Sequence, residues 1–441
     1  MELLAPAGNL EKVKYAVVYG ADAVYAGSKD YSLRAKADNF DSDDLIQAVD
    51  FCHQYKAKLF VPLNIYAHNR HIEDIKTYVK NLQYANIDAI IVSDIGVLDI
   101  IKNIAPDIPI HISTQANVTS YHSVKAFQSL GAKRIILARE LTFDEIKEIR
   151  QKCPDMELEM FVHGAMCISY SGRCLLSAFL NNRSANRGEC TQPCRWKYNL
   201  VEESRPKESF PIQEDKHGFY FMNSKDLCLY NRLDEIYQAG IDSVKIEGRM
   251  KSLYYIAAVT RAYKAKINNC KSKENLQDTS YKLQDTPPYP LHKCGGENSP
   301  HIYGGGRGGQ IELQTPNSKL QDELDKISHR IYTEAFFDGF NVDDTQNYDT
   351  STYIRDWQFV GNILNSDNGY AFVQSYSKID NNDQIEIIFP DAKYDLALNN
   401  PILFDENFKE ISFTKPNSRF YIKLDKQIPQ YGIIRVKNHE F

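Results

Sequence analysis

Residues 58–94 read KLFVPLNIYAHNRHIEDIKTYVKNLQYANIDAIIVSD, and this stretch decides the fold. KLFVPL is a short, almost unbroken apolar run, as is AIIVSD. Between them IEDIKTYVKNLQYA places apolar residues three and four apart, the spacing of one helix face. A strand apolar on both sides, then an amphipathic helix, then another such strand is a parallel unit with both sheet faces covered. Outward from it the same alternation recurs. ELLAPA near residue 4, DAVYAG near 24, PIHIST near 111, RIILAR near 136, ELEMFVHG near 160 and SVKIEG near 245 are the other strands. LEKVKYAVVYG, SDDLIQAVDFCHQY and TFDEIKEIRQKC are among the helices between them. Eight units predict an α/β fold, a (β/α)8 TIM-type barrel. The rival is a doubly wound open sheet, whose dinucleotide-binding form is weakened by the lack of G-x-G-x-x-G after the first strand.

The rhythm breaks between the seventh and eighth barrel strands, where a long excursion carries HGAMCISYSGRCLLSAFLNNRSANRGECTQPCRW, residues 163–196. Barrel excursions of this kind usually leave from the C-terminal ends of strands, where barrels do their chemistry. The expected organisation is a barrel with the active site over 1–270 and a polar linker or insertion over 271–318. A helical connector over 319–351 and a small all-β domain over 352–441 complete it.

The chain has 441 residues, 43% hydrophobic and 25% charged, the balance of a soluble globular protein. The opening MELLAPAGNLEK lacks a basic segment followed by an apolar one, and no apolar run suits a membrane helix. A cytoplasmic location without membrane association is therefore expected, where thiols stay reduced. That disfavours a disulfide framework for the nine cysteines and favours metal or redox chemistry. A net charge of −6 excludes broad electrostatic capture of nucleic acid but allows a local basic site.

Four cysteines, Cys167, Cys174, Cys190 and Cys194, lie in the excursion, and Cys228 follows in FMNSKDLCLY. Only Cys190 and Cys194 are closely spaced, which suits zinc poorly and an iron–sulfur cluster on separated loops better. A zinc site, a lone nucleophile and no role all remain open on spacing alone. Cys52, Cys153 and Cys270 fall on helical segments and read as small buried hydrophobes. Arg173, Arg183, Arg187, Arg195 and Lys197 thread the thiols, with Glu189 the one acid between 163 and 197. Such cations favour thiolate and offer partners to phosphate or carboxylate, although solvated loop arginines would look the same.

Polar residues also fall at strand ends: Asn64, Gln115, His163 and the run Lys245-x-Glu247-x-Arg249. Glu247 and His163 are the candidates for proton transfer; Lys245, Arg249 and Asn64, with Arg173, Arg187 and Arg195, are those for holding an anionic substrate. Glu247 and Arg249 pairing with one another is the plainer alternative. No HExxH, no G-x-S-x-G elbow and no convincing Cys–His pair occurs.

EMFVHGAMCISYSGRCLLS, from Glu159 to Ser177, resembles the signature of the collagenase-like peptidase superfamily. The opening LLAPAGNLEKVKYAVVYGADAVYAG, then SLRAKADNF, NRSANRGECTQPCRW, KDLC, KIEGRMKS and SHRIY resemble that family too. The added β domain brings the chain nearest the members that hydroxylate the tRNA wobble uridine in a prephenate-dependent way. The resemblance implies a 4Fe-4S cluster on Cys167, Cys174 and Cys190, closed by Cys228, with Cys194 as alternative fourth ligand. It implies tRNA and a small anionic co-substrate, prephenate, as partners. The older family label implies instead a peptidase acting on collagen or peptides. Ala335-Phe336-Phe337 stands where relatives carry Gly-Phe-Tyr after SHR-x-Tyr, and 271–318 is longer than in the family.

Overall fold

The computed structural model describes residues 1–27, 40–167, 169–183, 190–196, 200–201, 209–210, 224–284, 317–339, 343–347, 353–424 and 427–438. Eight parallel strands close on themselves: β1 (Glu2–Ala7), β2 (Ala23–Ala26), β3 (Lys58–Leu63), β4 (Ala89–Val92), β5 (Ile110–Ile112), β6 (Arg134–Ile136), β7 (Glu157–Ala165) and β11 (Ser243–Ile246). Each pairs with the next, and β11 pairs in parallel with both β7 and β1. Closure removes the open edges that a doubly wound sheet would keep.

The helices lie where the apolar spacing puts them: α1 (Leu10–Val18), α2 (Ser42–Gln54), α3 (Ile72–Tyr84), α4 (Ile95–Ile104), α5 (Tyr121–Ser129) and α6 (Phe143–Lys152). Most are started by a side-chain cap. Asp94 accepts from the Val97 N–H at 3.0 Å, and Thr142 with Glu145 forms a capping box on α6. Ile75, Val79 and Leu82 form the buried face of α3. Each such side chain stabilises the packed state by roughly 1.5–3 kcal/mol relative to exposure.

Past β7 come α7 (Leu176–Asn181), a 3-10 turn at Pro193–Arg195 and a short antiparallel pair, β8 (Leu200–Val201) with β9 (Ser209–Phe210). The chain returns as β10 (Asp226–Cys228), which runs antiparallel to the far end of β7, Cys228 opposite His163. After α8 (Leu233–Gln238) and β11, α9 spans Leu253–Gln284. The helix thus runs well beyond 270, into the stretch expected to be linker, because the polar residues there are helix formers without Gly or Pro. Residues 285–316, which include DTPPYP and GGGRGG, lie outside the described residues. The helix expected from residue 319 is short, α10 (Asn317–Asp325), and SHRIYTEAFF leads instead into β12 (Tyr332–Thr333), which pairs with β10.

The C-terminal strands form one antiparallel sheet: β13 (Trp357–Asp367), β14 (Tyr370–Ser375), β15 (Gln384–Ile388), β16 (Leu396–Asn399), β17 (Leu403–Phe404), β18 (Glu410–Ile411), β19 (Arg419–Lys423) and β20 (Ile433–Lys437). It rests on the barrel through buried polar contacts. Arg435 pairs with Glu323 of α10 at 2.7 Å and donates to the Tyr254 hydroxyl of α9 at 2.8 Å. Arg261 of α9 pairs with Asp395 at 2.8 Å. Among the described residues no helix is long and apolar enough to cross a membrane.

Candidate functional site at the barrel mouth

The C-terminal ends of the strands surround a small, solvent-open cavity. Asn64 after β3, Ser113 and Gln115 after β5, and Lys245, Glu247 and Arg249 on and after β11 supply its polar lining, with Tyr25 and Phe161 among its apolar walls. A concave site with convergent polar groups is where barrels bind small ligands. Five of the strand-end residues singled out in the sequence therefore meet in one place: Asn64, Gln115, Lys245, Glu247 and Arg249.

Each is positioned differently. Asn64 is buried, its Nδ2 3.0 Å from Gln115 Oε1 and 3.3 Å from Ser113 Oγ. Its Oδ1 has no hydrogen-bond partner, a buried acceptor that a ligand N–H would satisfy. Lys245 lies 4.4 Å above the Tyr25 ring, and its Nζ pairs with Glu159 Oε1 at 3.2 Å. Burial lowers its pKa while the Glu159 carboxylate opposes that shift. Glu159 also pairs with Arg134 at 3.0 Å, and Arg134 reaches Glu2 at 2.6 Å and Glu157 at 2.9 Å. Burial disfavours the Arg134 charge, but these carboxylates raise its pKa overall. Lys245 is thus the floor of the cavity, committed to an internal ion network. Arg249 is also buried, with its guanidinium against Gly27: a Cβ there would come 2.2 Å from Nη2. Only glycine admits that approach.

His163 does not join the cavity. The pairing of β7 with β11 slips by one residue between Lys245 opposite Phe161 and Ile246 opposite His163. That bulge re-aims the imidazole. It packs instead among Tyr255 and Tyr263 of α9 and Tyr332 of β12, at centroid distances of 5.5–5.8 Å. Burial drives its pKa down to about 3, with Asp226 opposing, so the ring is neutral at physiological pH. The next residue, Gly164, has φ +110° and would place a Cβ 2.5 Å from Glu247 O. A side chain there would push the end of β11 away.

The thiols are dispersed. Cys167 and Cys190 are exposed; Cys174, Cys194 and Cys228 are intermediate. Cys228 Sγ lies 3.9 Å from the Tyr263 hydroxyl, which donates to Val162 O at 2.9 Å, and burial pushes this thiol up to about 11. Among the described residues no three His, Cys, Asp or Glu side chains are gathered closely enough to hold a metal ion. The donor set suits iron in kind: thiols alone, Cys167, Cys174, Cys190 and Cys194 within the excursion and Cys228 on β10. Arg173 is exposed, 5.7 Å from the Tyr66 ring. Arg195 closes the 3-10 turn, its side chain outside the described part, and Arg187 lies outside the described residues altogether.

Sequence reasoning passed over Tyr25, Ser113, Thr114 and Phe161 as lining residues. For Tyr25, Ser113 and Thr114 the signal was position alone, near or just past the end of a barrel strand, whereas Phe161 lies in the middle of β7. Cys52, Cys153 and Cys270 are buried, as read.

A parallel barrel with a polar cavity at its mouth and a cysteine-rich excursion over it has the architecture of a TIM-type enzyme. The chain belongs to peptidase family U32, whose profile matches residues 8–293, and the U32 C-terminal domain profile matches 355–435. It is 34% identical to the tRNA hydroxylation protein P1 of Bacillus subtilis (strain 168), over 98% of this chain and 94% of that protein. The tRNA hydroxylation protein P of Haemophilus influenzae is also 34% identical, over 90% of this chain and 87% of its own. A collagenase of Porphyromonas gingivalis is 33% identical over 60% of this chain and 65% of that protein.

Proposed function

We propose that this protein hydroxylates tRNA, at carbon 5 of the anticodon wobble uridine. The observation that carries the reading is the similarity along nearly the whole chain, barrel and C-terminal sheet together, to proteins named for tRNA hydroxylation. The collagenase shares only part of the chain. The cavity supports the same reading, since an unstacked loop base fits a polar pocket read by amides. Asn64 and Gln115 would face the edge of the uracil, the orphaned Asn64 Oδ1 accepting from its ring N–H. Arg249 would hold the carboxylate of a small anionic co-substrate such as prephenate, Lys245 being committed to Glu159. Glu247, in the lining of the same cavity, would be the carboxylate for proton transfer.

Cys167, Cys174 and Cys190 would hold a 4Fe-4S cluster, with Cys228 or alternatively Cys194 as the fourth ligand. Bound there, the cluster would supply one-electron transfer to the substrate site. The Cys228 thiol is protonated at neutral pH, so loading would release its proton.

The peptidase reading needs a base beside a cysteine, and His163 is enclosed by tyrosines, with its nearest polar partner the Tyr263 hydroxyl at 3.3 Å. Mass spectrometry of tRNA nucleosides from a deletion strain, with and without the complementing chain, tests the function. Loss of 5-hydroxyuridine derivatives, restored by the chain and not by Cys167→Ala, is expected; an unchanged profile overturns the reading. For the cluster, anaerobically purified protein should be brown and lose most of its iron in Cys167→Ala. A colourless, iron-free preparation would refute it.

A further inference from the structure

Five of the sixteen exposed large apolar side chains among the described residues lie between Tyr170 and Trp196, a clustering that scattered surface residues would not produce. They are Tyr170 (45% exposed), Leu175 (68%), Phe179 (83%), Leu180 (40%) and Trp196 (43%). Single exposed apolar residues are ordinary; a cluster of this kind marks a surface that binds something.

The patch is held in shape. Ser177 and Asn181, on the inner face of α7, meet Thr191 at 3.1 and 2.7 Å, which ties α7 to the segment carrying Trp196. Leu175 and Phe179, one turn apart, are left on the outer face. The start of the excursion is pinned to the barrel mouth: Arg139 donates to Ala165 O at 2.9 Å and to Ser171 Oγ at 2.7 Å. The backbone of Gly172 lies against Gln115, which lines the cavity. The segment carrying the patch therefore reaches the cavity entrance at Gly172.

Its charge selects the occupant. Arg173 and Arg183 are exposed beside the apolar residues, and no acidic residue lies among the described residues from 163 to 196. Aromatic faces flanked by arginines in an otherwise acidic chain form the combination that stacks unpaired bases while the cations follow the phosphates. Resting on the hydroxylase reading above, we infer that this face of the excursion is the docking platform for unpaired nucleotides of an RNA loop. Phe179 and Trp196 stack bases adjoining the one that enters the cavity, and Arg173 and Arg183 contact the backbone.

The experiment compares binding of a synthetic anticodon stem-loop with that of a fully paired hairpin of equal length, by fluorescence anisotropy on the full chain. The Phe179→Ala/Trp196→Ala double variant is expected to weaken stem-loop binding about tenfold or more, and paired-hairpin binding hardly at all. Arg173→Gln/Arg183→Gln is expected to weaken both RNAs and to flatten the salt dependence. Circular dichroism checks that the variants remain folded, which their exposure favours. Stem-loop binding unchanged in the aromatic variant, or equal loss on both RNAs, overturns the platform. Wild-type self-association that the aromatic variant abolishes, with RNA binding intact, overturns it in favour of a second copy of the chain. The tRNA nucleoside profile separates the two inferences. A profile that depends on the chain while the variants bind normally sinks the platform alone. Selective loss of loop binding with no change in tRNA on deletion sinks the hydroxylase reading alone.

Discussion

β7 solves the problem of burying ionisable groups in two opposite ways. At Glu159 the charge is kept: Arg134 and Lys245 close around a carboxylate with no solvent exposure. Four residues on, His163 is equally buried but kept neutral, its ring among tyrosines with Asp226 bound elsewhere, to Arg330 at 2.7 Å. The lesson is that a buried charge persists where partners of opposite sign converge from several strands, and is given up where the neighbours are hydroxyls and rings.

The contrast breaks most visibly at Glu159. Glu159→Ala would leave Arg134 and Lys245 buried beside each other, and a loss of about 3–5 kcal/mol in unfolding free energy is expected from denaturant titration. A loss under 1 kcal/mol would mean that the network is solvated and the comparison false.

At His163 the test is pH. Its ring titrates at the model-peptide value of 6.5 in the unfolded chain and about 3 in the fold. Below pH 6.5 the unfolded chain therefore binds a proton that the folded chain refuses, so stability falls as pH drops from 6.5 towards 3. The loss should reach about 2 kcal/mol at pH 5 and be absent at pH 7. His163→Phe should remove that share of the acid sensitivity; an identical pH slope in the variant would show that the ring is not held neutral.

The smallest effect is expected where the ion network meets the cavity. With Lys245 paired to Glu159, Arg249 is the cavity-lining cation proposed to hold an anionic ligand. Arg249→Gln should then lower tRNA hydroxylation about tenfold or more with little change in folding, as for loss of one charge-assisted hydrogen bond. Equal activity in the variant would return Lys245 to the list of ligand contacts.

Much of this was legible in the chain. All eight barrel strands were marked by apolar runs, because a strand buried on both faces has no room for polar alternation. Asn64, Gln115, Lys245, Glu247 and Arg249 were found by their position at strand ends, which the barrel makes neighbours whatever their separation in sequence. His163 stood at such an end as well, yet its direction depends on a one-residue slip against β11, and nothing in HGAMC displays it. The extension of α9 to Gln284 was missed because helix-forming polar residues resemble a linker when no apolar stripe marks them.

By itself the sequence determined the barrel, the C-terminal strands and part of the polar lining of the cavity, since periodicity and strand-end position are local properties. The tertiary structure alone decided which way His163 faces, that Lys245 is sequestered by Glu159, and that Phe179 and Trp196 stay exposed on an excursion whose start is anchored at the barrel mouth. Those outcomes turn on bulges, cross-strand ion pairs and the docking of one segment on another. Each joins residues far apart in the chain, and no local pattern records them.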